Sequence, residues 1–381
     1  MISRLATPAV ILSLLIATSA QAFVPPVPDI AAKAYLLTDY QSGIQLAGRD
    51  PEMRVEPASL TKLMTAYLTF KFVKEGKLKL DQQLTVSDKG WRTEGSRMFL
   101  DPKKPVTVDD LIKGMIVQSG NDACVTLAEA IAGSEEVFAQ LMTREAKRLG
   151  MNGTNFKNST GLPDPDHYMT VGDLAKLAAA IIHDFPEFYP IYSMKEFAYN
   201  NIKQPNRNLL LYRDPFVDGM KTGHTASAGY NLVASTKRDG RRLISVVVGT
   251  ASDEVRASES SKLLNWGIQF QETPRLYAAK QAVSNVAVWK GKSDKVNVGF
   301  LEDRFITVGR GDAKNLKMAF TSTQPLIAPI KVGQNVGKLV VSLNDKQLVE
   351  LPVVALEEVP EANFFGRAWD SIRMWFKSIF G

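Results

Sequence analysis

The sequence predicts an α+β fold, followed by a small all-β unit and a terminal amphipathic helix. Three observations carry this. Strand-like and helix-like segments mix through residues 30–270 without a regular strand–helix–strand rhythm, which favours an antiparallel sheet flanked by helices. After Thr273-Pro274, short alternating runs separated by turn residues take over. Near the end of the chain, aromatic residues recur at helical spacing.

The segments follow in order. Arg4, an apolar run at 8–18 and the small residues of Ala20-Gln21-Ala22 predict a secretory signal peptide over 1–22, cut before Phe23. The apolar run is too short to span a bilayer. Ala34–Leu37 and Ile44–Leu46 flank a turn and predict a hairpin. From Pro57, Leu60, Leu63, Met64, Tyr67 and Leu68 recur as on a helix face. Further helices are expected over Val108–Val117, from near Asp122, and over 171–184. The Gly-, Asn-, Pro- and Asp-rich stretch 150–170 predicts a long loop. Leu232–Ser235 and Leu243–Gly249 read as neighbouring strands around a turn at Lys237–Gly240.

The runs Val286/Val288, Val296/Val298/Phe300, Ile306/Val308, Leu316/Met318/Phe320 and Val349/Leu351/Val353 form the all-β unit, with no catalytic pattern in it. In the tail, Phe364, Phe365, Ala368, Trp369, Ile372, Trp375, Phe376, Ile379 and Phe380 share one face, with charged and polar residues opposite. That pattern predicts a helix lying on an anionic lipid surface. The expected division is 1–22 signal peptide, 23–274 first domain, 275–358 small β-sandwich-like domain and 359–381 membrane-surface helix.

Bulk properties narrow the function. A chain of 381 residues favours two domains, and a hydrophobic fraction of 45% supplies ample core. The net charge of +6 suits an acidic substrate, a membrane surface or nucleic acid; expected export removes nucleic acid. Cys124 is the only cysteine, so no intrachain disulfide can form.

Three short patterns carry chemistry. Ser59-Leu60-Thr61-Lys62 puts a hydroxyl and an amine three residues apart on one helical face. A serine needs a base to become nucleophilic, and lysine serves only when its pKa is pushed down. A helix start and a second cation, Lys221, are the expected causes. Alone the pattern is cheap: chance gives about one in a chain of this size. Ser119-Gly120-Asn121 offers a proton relay and an amide to hold a substrate, and equally an ordinary helix cap. Lys221-Thr222-Gly223 offers a grip for a carboxylate, with Gly223 allowing a substrate backbone to approach; it also reads as a polar edge strand.

In this order the patterns resemble those of the penicilloyl-serine transferases. The chain is most similar to the low-molecular-mass penicillin-binding proteins that act as D-alanyl-D-alanine carboxypeptidases, the penicillin-binding protein 5/6 group. The blocks Pro57–Thr65, Ser119–Cys124, Lys221–Thr225, Ala228–Ser235 and Glu259–Trp266 carry the likeness. It implies a β-lactamase/transpeptidase-like first domain and a periplasmic enzyme, peripheral on the outer face of the cytoplasmic membrane. It implies that Ser59 attacks the penultimate D-alanine carbonyl of a peptidoglycan pentapeptide stem, that Lys62 takes its proton, and that Ser119 relays one to the leaving D-alanine. Asn121 would bind the substrate amide and help position Lys62. Lys221 would supply positive charge, Thr222 with Arg256 would engage the terminal carboxylate, and the backbone N–H groups of Ser59 and His224 would form an oxyanion hole. β-Lactams would acylate Ser59 and leave slowly.

No cofactor or metal is expected: three histidines without a zinc-ligand spacing argue against a metallopeptidase. His167 and His183 read as loop and helix-end residues, and Cys124 as a small buried side chain. The rivals are a serine β-lactamase, disfavoured because loop 150–170 has no glutamate, a D,D-endopeptidase, and a non-catalytic penicillin-binding scaffold.

Overall fold

The computed structural model describes residues 24–380, so the signal peptide expected over 1–22 lies outside the described residues. The first sheet has five antiparallel strands in the order Gln45–Arg49, Ala34–Asp39, Arg241–Thr250, Gly229–Arg238, Val217–Thr225. Strand alternation gives it two apolar faces. Leu36, Val246 and Val248 join one core, and Leu37, Leu243 and Val247 the other. The first core is covered by the helices Lys62–Lys74, Val108–Val117, Asn121–Ala132, Glu135–Arg148 and Val171–Asp184. The second is covered by Asp253–Phe270 through Leu263, Leu264 and Trp266.

The expected hairpin and the helices at 108–117 and 171–184 form as read. Thr107 and Thr170 cap the latter two, accepting from the N–H groups of Asp110 and Asp173. Two long helices escaped the periodicity reading. In Asp253–Phe270 the polar residues Arg256, Glu259 and Ser260 are buried, which breaks the apolar stripe. Glu135–Arg148 has six charged residues among its fourteen, although its cap, Ser134, was readable. The helix after Pro57 opens as a tight 3-10 turn, Ala58–Thr61, and becomes α-helical only at Lys62.

The all-β unit centres on a second five-stranded antiparallel sheet, ordered Ala282–Ala287, Lys295–Gly299, Lys346–Ala355, Asn335–Leu343, Leu316–Ser322. Val296, Val298, Phe300, Ile330, Val341 and Val353 lie in its separate core.

The join between the two cores is bonded throughout. Gln271–Glu272 pairs with Val308–Gly309. The Thr273 hydroxyl donates to Asp39 Oδ2 at 2.6 Å, and the Ser42 and Thr307 hydroxyls lie 2.6 Å apart. Arg241 donates from Nε to the same Asp39 oxygen at 2.8 Å, and from Nη1 to the Gly267 and Gln271 carbonyls. Asp39 itself is fully buried.

The terminal helix runs Phe364–Phe380. It begins later than expected because Val359 and Glu361 form β-bridges with Ile330 and Gly291. Asp370 Oδ2 accepts from Lys290 N at 2.6 Å, and the Arg373 guanidinium lies over the Trp289 ring, so the polar side meets the β unit. Phe364, Phe365 and Trp369 are 70%, 80% and 63% exposed. No described helix is long and apolar enough to cross a membrane.

Candidate active site

Ser59 sits in the 3-10 turn, where residues three apart eclipse, so Lys62 comes directly above it. Lys62 Nζ lies 2.8 Å from Ser59 Oγ and donates to the Thr160 carbonyl at 2.6 Å. The amine is almost wholly buried, at 1% exposure. Burial pushes its pKa down to about 8, and the Arg207 charge adds to that. Beside the expected helix start and Lys221, desolvation is the largest cause.

The residue before the nucleophile, Ala58, holds φ +49°, a left-handed conformation that costs a residue with a side chain about 1–3 kcal/mol. The loop after Met151 holds this turn. Gly161, at φ +85°, packs so closely that a Cβ there would stand 1.8 Å from the Ala58 carbonyl oxygen. The Thr65 hydroxyl donates to the Ser159 carbonyl at 2.7 Å. The loop has no glutamate of its own, but the fold brings Glu135 beneath it. That carboxylate is occupied: it accepts from Ser159 N and Oγ and pairs with Lys89.

A second serine–lysine pair faces the first. Ser119 also has a left-handed backbone, φ +66°, and is not a helix cap; that position is Gly120. Its Oγ accepts from Lys221 Nζ at 2.9 Å. Lys221 is buried, and desolvation, then the charges of Lys62, Arg207 and Arg256, hold its pKa well below the usual lysine range.

Lys221, Thr222 and Gly223 lie on the edge strand Val217–Thr225. A Cβ on Gly223 would meet the Pro57 carbonyl oxygen at 2.8 Å and Leu60 N at 3.2 Å. The space a side chain would need at Gly223 is therefore taken by the nucleophile's own turn. Asn121 Nδ2 donates to the Glu94 carbonyl at 2.5 Å, while its buried Oδ1 has no partner among the described residues. No hydrogen bond joins Asn121 to Lys62 among the described contacts.

Ser59, Ser119, Thr222, Gly223, His224 and Arg256 line one cavity of about 850 Å³. Arg256, 6% exposed, donates weakly to the Gly223 and Arg207 carbonyls and stands over the Tyr230 ring, whose centroid lies 4.0 Å from that of His224 in a tilted contact. Sequence reasoning missed Arg207, which lines the same cavity. It belongs to no motif, and only the bracing asparagines Asn206 and Asn208 around it hinted at an ordered segment. His167 was read as a loop residue; it is buried, and its Nε2 lies 2.8 Å from Thr61 Oγ1. Cys124 is buried as expected and donates to the Gly120 carbonyl; burial pushes its thiol up to about 12.

Comparisons with known proteins show the family and the fold. A family model described as D-alanyl-D-alanine carboxypeptidase matches residues 19–252, and one described as penicillin-binding protein 5, C-terminal domain, matches 272–361. The chain is 46% identical to D-alanyl-D-alanine carboxypeptidase DacC of Escherichia coli, over 93% of this chain and 90% of that one. The crystal structure of penicillin-binding protein 5 from Haemophilus influenzae superposes with a TM-score of 0.86 at 42% identity, covering 89% of this chain and all of that one. Penicillin-binding protein D2 of Listeria monocytogenes, solved in an ampicillin-bound form, superposes at TM-score 0.60 and 30% identity over 64% of this chain.

Proposed function

The chain belongs to the D-alanyl-D-alanine carboxypeptidase family of serine peptidases, and from that premise we propose how its own residues remove the terminal D-alanine. The contact between Lys62 Nζ and Ser59 Oγ carries the reading. Neutral Lys62 gives one N–H to the Thr160 carbonyl and keeps its lone pair for the Ser59 proton. Ser59 Oγ attacks the penultimate D-alanine carbonyl, with the backbone N–H groups of Ser59 and His224 facing the developing oxyanion. The C–N bond breaks as Ser119, held by Lys221, hands its hydroxyl proton to the departing amine, and the proton that Lys62 took from Ser59 returns to Ser119. Water then cleaves the ester and frees Ser59. Arg256 and Arg207 supply the positive charge for the terminal carboxylate, with Thr222 beside them. Lys221 acts through Ser119 in this scheme, and Asn121, whose carbonyl oxygen has no partner among the described residues, is assigned to the substrate amide.

The substrate is the peptidoglycan pentapeptide stem, and β-lactams acylate the same serine. Incubation with a pentapeptide ending in D-Ala-D-Ala tests this. Release of one D-alanine, abolished by Ser59→Ala, supports it. Cleavage of cross-links alone would favour an endopeptidase, rapid loss of free β-lactam a lactamase, and β-lactam labelling without peptide turnover a scaffold.

The expected division at 22, 274 and 358 is proposed to hold, with export to the periplasm. The exposed aromatic side of Phe364–Phe380 rests on anionic lipid at the outer face of the cytoplasmic membrane.

A further inference from the structure

Of the polar contacts holding the nucleophile turn, one involves a side chain the reaction scheme leaves unused. His167 is 3% exposed. Its Nδ1 accepts from Lys157 N at 3.3 Å, which leaves the proton on Nε2, and Nε2 donates to Thr61 Oγ1 at 2.8 Å. The Phe156 ring packs edge-on against the imidazole at 5.6 Å. Thr61 lies between the nucleophile and Lys62 and closes the 3-10 turn that starts at the strained Ala58.

We propose that His167 is a positioning residue for acylation: its bond to Thr61 ties the loop bearing the Thr160 carbonyl to the turn bearing Ser59, so that Lys62 meets both at once. The physical reason is geometric. Lys62 is a useful base only while one N–H is held by Thr160 and its lone pair faces Ser59. Thr160 and Ser59 belong to different segments, and a drift of about 1 Å between such groups costs up to about a hundredfold in rate. Gly161 limits approach of the two segments from one side by steric contact with Ala58. His167 limits separation on the other by a directed hydrogen bond. A strained turn persists only where its surroundings over-determine it, and this bond is one such constraint.

The inference rests on the serine acylation reading, and the test separates the two. The full chain and the variants Thr61→Val, His167→Leu, His167→Gln and the Thr61→Val/His167→Leu double are labelled with a fluorescent penicillin, and melting temperatures are recorded. Each of Thr61→Val and His167→Leu should slow acylation about tenfold or more, with the pentapeptide KM unchanged. The double variant should be no slower than the worse single, because both remove one bond. His167→Gln, which can still donate, should recover most of the rate. Single variants within about twofold of the parent, or losses that multiply in the double, would overturn it. If His167→Leu fails to fold, the nearly isosteric Thr61→Val still decides. A parent chain that takes no label would remove the acylation reading, and this inference with it.

Discussion

The Lys62 amine donates to the Thr160 carbonyl at 2.6 Å, a bond made by a buried amine that has no carboxylate salt bridge among the described contacts. Its folded pKa of about 8 lies below the ordinary value of 10.5. Only the neutral amine can take the Ser59 proton. Acylation by a β-lactam should therefore climb with pH, about tenfold per unit below 8, and level off above it. A pH profile of the second-order labelling rate checks this. Lys62→Arg, which cannot be neutral, should lose at least about a hundredfold.

The same shift predicts a cost to stability. Between pH 8 and 10.5 the unfolded chain holds a proton on Lys62 that the folded chain does not, so this group's contribution to stability rises with pH across that window. Below 8 the full penalty applies, on the order of 3 kcal/mol. In denaturant titrations, any advantage of Lys62→Met over the parent should shrink as pH climbs through the window. An advantage independent of pH would count against a depressed Lys62.

Gly161→Ala should be severe. The new methyl would meet the Ala58 carbonyl oxygen at 1.8 Å, on a backbone at φ +85°. Calorimetry should show a loss of at least about 2 kcal/mol, with penicillin labelling falling further than the melt alone accounts for.

Arg256 and Arg207 converge on one cavity without a carboxylate salt bridge among the described contacts. Arg256→Ala should raise the pentapeptide KM about 10- to 100-fold, since it removes a desolvated charge partner of the substrate. Arg256→Lys should recover only part, because the fork over Tyr230 is lost. Steady-state kinetics on the peptide measures both.

Deleting 361–381 should release the protein from vesicles containing anionic lipid and leave pentapeptide hydrolysis unchanged. Sedimentation with such vesicles measures this, and continued binding by the truncated chain would refute the lipid contact.

Periodicity made the antiparallel sheet and the capped helices legible, because apolar residues at Leu36, Val246 and Val248 alternate with those at Leu37 and Val247. It failed at Asp253–Phe270, where buried Arg256 and Ser260 serve the cavity and the packing. The serine–lysine motifs were readable because local spacing alone brings Ser59 and Lys62 together. The Ser119–Lys221 pair joins residues far apart in sequence, and only tertiary structure makes it. Arg207, Thr160 and His167 were invisible for the same reason. Thr160 contributes a backbone carbonyl, which any residue would offer, and Gly161 is needed only because the Ala58 turn lies against it. Sequence shows the charge on Lys221 and hides its burial, which lowers its pKa.

The join around Asp39 leaves no slack between the two cores. One buried carboxylate serves the hairpin turn through Gln41 N and Ser42 N, and the connection through Thr273 and Arg241. Opening that connection strands a charge inside the first sheet. The consequence is cooperative melting: heating should not release the β unit while the catalytic sheet stays intact, and calorimetry should record a single endotherm whose van't Hoff and measured enthalpies agree.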